Sequence, residues 1–152
     1  MSVVSLIFSL VAALQDYRTA KIRNALIGAG MLIAVILFGM SLREKTTVSE
    51  IIFLILEQLG TFIILFIILF ALYKIRALGA GDCKLFLMIG LYLPIKKSLI
   101  ILVGSLVLAA LYGSLRNVIR VLILKKDWLT GIHFAIPVAC THAIVVIFEM
   151  MK

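Results

Sequence analysis

Gly79-Ala80-Gly81-Asp82-Cys83-Lys84-Leu85 sets a carboxylate between glycines and a lysine, at the mouth of an apolar run. A second aspartate closes the first apolar run of the chain, in Asp16-Tyr17-Arg18-Thr19-Ala20-Lys21-Ile22-Arg23-Asn24. Acidic side chains at membrane depth are costly and mark function by default. Two carboxylates brought to one membrane face can share a proton and act as an acid–base pair. Whether these two do so depends on what surrounds them.

What surrounds them is hydrocarbon. Of the 152 residues, 64% are hydrophobic and 14% charged, and the mean hydropathy is +1.27. A soluble domain is about 45–50% apolar and about 25% charged. The bilayer is therefore the solvent. Six apolar segments follow, over residues 3–14, 25–40, 51–73, 85–93, 98–115 and 132–150. A full span needs about 20 residues. The third and sixth reach that length, and the second and fifth come close. The first reaches it only if its helix runs on through Asp16. The fourth is short: it begins at or before Asp82, or it is partly re-entrant, lining a wet or protein-filled cavity. The first segment lacks a basic leading region and reads as a retained span. The expected fold is all-α and polytopic, with about six transmembrane helices in one domain over residues 1–152.

The formal charge of +8 is scattered through short loops between the apolar runs. That pattern serves topology and anionic-lipid contact and argues against nucleic acid. The first, third and fifth loops hold Arg18, Lys21, Arg23, Lys74, Arg76, Lys84, Arg116, Arg120, Lys125 and Lys126. These are ten of the 15 basic residues. Basic loops stay in the cytoplasm. Asp16 and Asp82 then lie at the cytoplasmic face of a cell membrane, with both termini outside. Tyr17, Tyr73, Tyr112 and Trp128 fall at the same interface, as an aromatic belt does.

Hydrolysis by a carboxylate pair needs one ionised and one protonated partner. The first takes a proton from water, and the second polarises the scissile carbonyl and assists the leaving amine. Gly79 and Gly81 lack a Cβ, so the chain can turn sharply there and a substrate backbone can approach. A helix N-terminus at Asp82 favours its ionised form. Which aspartate holds the proton stays open. The simpler alternative makes Asp16 and Asp82 two N-caps at the interface. A small proton-coupled transporter, or a non-catalytic assembly protein of a secretion system, would employ the same aspartates.

At these residues the chain resembles the type IV prepilin peptidases, the GxGD membrane aspartic proteases. Their first motif is similar to D-x-R-x-x-x-I-P-N, and residues 16–24 follow it except that Arg23 stands where the family has proline. Their second, G-x-G-D-x-K-L, is matched throughout by residues 79–85. The resemblance implies a GxGD protease-like bundle with Asp16 and Asp82 as the catalytic pair. Arg18, Asn24, Gly79, Gly81 and Lys84 come over as motif or substrate-positioning residues, with Arg18 orienting Asp16 by a charge-assisted bond. It also implies cleavage of the short basic leader of a prepilin or pseudopilin in a bacterial or archaeal cell membrane, with no cofactor and no metal. The methyltransferase domain of larger members is not expected, so the chain resembles short peptidase-only members such as those serving Tad/Flp-type pili. The presenilin-like GxGD proteases place a Tyr-Asp motif inside a helix, whereas this chain has Asp16-Tyr17.

Other polar residues read as structural. Glu57 is expected to snorkel or to pair with Gln58, and Glu149 is similar. His133 and His142 are not at the spacing of a helical metal pair. Cys83 and Cys140 form no metal-ligand spacing and are expected to be free thiols. Asn24 is expected to cap the second helix. Gly28, Gly30, Gly104 and Gly113 are expected at close helix contacts.

Overall fold

The computed structural model describes residues 1–19, 21–122 and 134–151. Trp128, His133, Lys125 and Lys126 lie outside the described residues. Among the described residues the secondary structure is six helices: α1 (Ser2–Thr19), α2 (Asn24–Arg43), α3 (Val48–Lys74), α4 (Ala80–Gly90), α5 (Ile95–Leu122) and α6 (Ala135–Met150). Each covers one of the apolar segments. By length and composition α2, α3 and α5 are able to cross a membrane, and α6 is a shorter apolar helix. Backbone groups in hydrocarbon must be satisfied within their own segment, which is why unbroken apolar runs become helices.

The burial pattern is that of a bundle in lipid. Helix α3 exposes Phe53, Leu56, Ile63, Phe66, Ile67 and Phe70. It buries only Thr61, Leu65 and Leu69. These three recur every fourth residue, so they form one stripe on one face. That stripe packs on α4, which also touches α1, α2 and α5. Helix α4 is the hub of the bundle, and Leu85, Phe86, Met88, Ile89 and Gly90 are all buried in it.

The shortness of α4 follows from this position. Eleven residues rise about 16 Å, roughly half the hydrocarbon thickness. The helix therefore ends inside the bundle, and its last carbonyls need partners there. Gln58 Nε2 of α3 donates to the Gly90 carbonyl at 2.9 Å. Gln58 thus serves α4 rather than Glu57, which stands exposed. The expected Glu57–Gln58 pair is absent because adjacent helical residues do not face each other. Beyond α4, the buried Tyr92 hydroxyl donates to the Gly30 carbonyl of α2.

Two of the expected glycine contacts are present. A Cβ on Gly30 would run into Met88 Sδ, and one on Gly104 would lie 2.6 Å from Thr141 Cγ2. Gly28 meets nothing within 4 Å, so it is not a packing glycine. Gly30→Leu is expected to destabilise the bundle by about 1–3 kcal/mol, since overpacking forces side chains off their rotamers. Thermal unfolding in detergent, with Gly28→Leu as the neutral control, measures this.

The end remote from the aspartates is tied by polar bonds. Glu149 at the end of α6 pairs with Lys97 at the start of α5. His142 is fully buried. Ser5 Oγ lies 3.1 Å from its Nε2 and Ser9 Oγ 3.2 Å from its Nδ1. Both ring nitrogens are thereby engaged, and α1 is fixed in register against α6. The structural role expected of His142 is the one found.

Candidate active site

Asp16 occupies the last turn of α1, on the buried face that carries Ser5, Ser9, Ala12 and Ala13. Asp82 occupies the first turn of α4, outside the three spans. Neither is an N-cap. The N-cap of α4 is Gly79, with φ −75° and ψ 155°. Asp82 is three residues further on, near enough to the Gly79 backbone N–H for that dipole to favour its ionised form. This is the position from which a side chain turns back toward the N-cap in a capping box.

That placement redefines the glycines. No described glycine has a positive φ, so neither Gly79 nor Gly81 makes the sharp turn expected of it. Gly81 is helical, and an added Cβ would meet Ile22 at an ordinary 4.0 Å. A Cβ on Gly79 would lie 3.0 Å from Asp82 Oδ2. Gly79 is the position where a missing side chain lets the carboxylate fold back. Gly79→Ala is therefore expected to impair turnover about tenfold or more, and Gly81→Ala to cost under about threefold, in line with the worth of a charge-assisted hydrogen bond. Initial rates of peptide cleavage compare the two.

The two carboxylates are close enough for one charge to oppose the other. Burial, and then the charge of Asp16, push the Asp82 carboxyl from 3.8 up to about 6, against the opposing pull of the Gly79 N–H. The helix N-terminus also favours the ionised form, and burial outweighs it.

The two motifs are joined a second time. Lys84 Nζ donates to Asn24 Oδ1 at 3.1 Å, across 60 positions of sequence. Asn24 is the first residue of α2 and makes no cap bond, since the N-cap is Arg23. Arg23 has φ −69° and ψ 131°, a φ that proline would impose. Its N–H instead donates to Gln15 Oε1 at 3.2 Å, a bond that proline lacks. The first loop keeps the shape that proline would give it, held by a side chain from α1.

Arg18 stands exposed. Residues two apart on a helix point to nearly opposite sides. Cys83 and Cys140 are both free. No group of described His, Cys, Asp and Glu side chains has the makings of a metal site.

A cavity of about 720 Å³ opens beside Asp82. Tyr73, Lys74, Arg76 and Gly79 line it on one side, and Leu106 and Phe134 on another. Asp16 is not among the lining residues. Arg76 belongs to neither motif, so sequence reasoning passed over it. Its place in a loop leading to Asp82 was the available signal.

Residues 3–114 match the family model described as the type IV leader peptidase family. The match spans both aspartate motifs and most of the chain. No curated protein and no solved structure matches the chain.

Proposed function

Because the chain belongs to the type IV leader peptidase family, a peptidase family, we propose that it is a membrane aspartic endopeptidase that removes the short basic leader of a prepilin-like or pseudopilin substrate. One observation carries this reading: packing of α1 against α4 brings Asp16 near enough to raise the proton affinity of Asp82 at the wall of a cavity. That is the electrostatic condition for one carboxylate to be ionised while the other is protonated. Asp16 acts as the base toward water. Asp82 polarises the scissile carbonyl and then supplies a proton to the departing amine.

The site lies at the cytoplasmic face in this reading, supported by the ten basic residues in the odd-numbered loops and the helix ends that flank them and by the retention of basic segments in the cytoplasm. A helical backbone hides its carbonyls in internal hydrogen bonds, so the target bond must first be extended. Glycine leaves a helix at a cost lower than that of alanine by roughly 1 kcal/mol. Cleavage therefore falls after a small residue, glycine by family resemblance, where the basic leader meets the apolar helix. The leader itself rests on anionic lipid.

The test is incubation of the detergent-purified protein with a prepilin-like peptide of basic leader, glycine and apolar helix, read by mass spectrometry. A single cut after the glycine is expected. A peptide left intact, or a cut inside the apolar helix, would overturn the proposal.

A further inference from the structure

Arg76 is the described non-glycine residue with a left-handed backbone, at φ 58°. It sits just past the end of α3. Its N–H donates to the Tyr73 carbonyl at 3.0 Å, and the N–H of Ala77 donates to the Leu72 carbonyl at 2.9 Å. Together these two bonds close a Schellman cap on α3. The left-handed position of that cap is the one glycine fills without strain, whereas a side chain there costs free energy. Glycine at 76 would suit the backbone better. What it would remove is the guanidinium, and this side chain lines the cavity that Asp82 lines.

The cavity needs what a guanidinium supplies. A peptide drawn out of its helix exposes carbonyls that have lost their internal partners and need donors. Leu78, Leu106, Ala109 and Ala110 of the wall offer no side-chain donors. Lys74, the other cation there, holds its ammonium 5.5 Å from the Phe70 ring centroid. Arg76 presents five N–H groups and no acceptor, and it forms no ion pair with a described residue.

We propose that Arg76 is a substrate-binding residue, its guanidinium donating to a backbone carbonyl of the peptide that lies extended in the cavity beside Asp82. The inference rests on the peptidase reading above. Because the ligand is main chain, the contact does not depend on the substrate's side chains.

The experiment compares wild type, Arg76→Gly and Arg76→Lys on two junction peptides. One carries acidic side chains flanking the scissile bond, and the other carries the corresponding amides. Arg76→Gly is expected to unfold at a higher temperature than wild type, because strain is relieved. It is also expected to lose roughly 10- to 100-fold in kcat/KM on both peptides alike, the worth of a hydrogen bond to a charged group. Arg76→Lys is expected to recover part of that loss. A helix-capping role alone would raise stability and leave kinetics unchanged, and wild-type kinetics in Arg76→Gly would overturn the proposal. A loss confined to the acidic peptide would assign the contact to a carboxylate and overturn it too. Failure of the wild-type protein to cleave either peptide would remove the peptidase reading and this inference together.

Discussion

Asp16→Asn and Asp82→Asn are each expected to lower peptide cleavage by about 10³-fold or more, with the double variant hardly worse than either single one. General acid–base catalysis by a positioned group is worth roughly 10²–10⁴-fold. Groups that act as one unit lose most of their effect when any member goes. The amide keeps size and shape and removes only the titrating proton. Stability gives an independent readout for Asp82. Its carboxyl is held at about 6 in the folded protein against 3.8 for the ordinary group. The folded state therefore binds the proton more tightly than the unfolded chain. Wild-type stability is then highest below pH 4 as far as this group is concerned, and it falls as pH rises toward about 6. Above that the full penalty applies, at most about 3 kcal/mol from the size of the displacement. Asparagine carries no such penalty and keeps an acceptor oxygen beside the Gly79 N–H. Asp82→Asn should accordingly be inactive yet more thermostable than wild type at pH 7, with the difference shrinking toward pH 4. Near-normal cleavage by either single variant would end the carboxylate-pair mechanism. An Asp82→Asn variant less stable than wild type at pH 7 would show that burial is not what raises this group.

The helices were legible because hydrocarbon leaves the backbone few choices. Every apolar run became a helix, and the weak fourth run became the short α4. What periodicity could not reveal is that α4 is short because four other helices surround it. That is a property of packing between segments distant in the chain, as is the Gln58 bond to Gly90. The aspartates were legible from their motifs, and the family match places both within one recognised stretch. Their neighbours were less so. Arg18 looks like a neighbour of Asp16 when sequence is read as a line, but residues two apart on a helix point to nearly opposite sides. Asn24 has the side chain of a cap, but the helix starts one residue earlier in register and Lys84 claims its oxygen. Gly79 and Gly81 read alike as turn glycines, whereas it is Gly79 that the carboxylate folds back toward. Arg76 carried no sequence signal of its left-handed backbone, since that position ordinarily announces itself as glycine.

The pH dependence of turnover should separate the two carboxylates by role. In the proposed mechanism the productive state holds one proton on the pair. The upper macroscopic ionisation belongs to the pair, and the environment of Asp82 places it at about 6,. Above that value the shared proton leaves, and both groups become bases with no acid to polarise the carbonyl. Thus kcat/KM, which reports the free enzyme, is expected to fall about tenfold per pH unit above 6, or roughly 100-fold between pH 6 and pH 8. Substrate in the cavity displaces water from Asp82 and removes further solvation from its charged form. The same limb in kcat should therefore lie at higher pH than in kcat/KM, because desolvation disfavours the carboxylate. Asp82→Glu, which keeps a carboxyl on a longer stem, should move the limb without abolishing it if the pair is the titrating unit. Rates measured from pH 4 to 9 in detergent at constant ionic strength decide the matter. A flat profile through pH 6–8, or a limb unmoved in Asp82→Glu, would mean that the proton needed for catalysis sits elsewhere and that the raised affinity of Asp82 is a consequence of burial with no part in the chemistry.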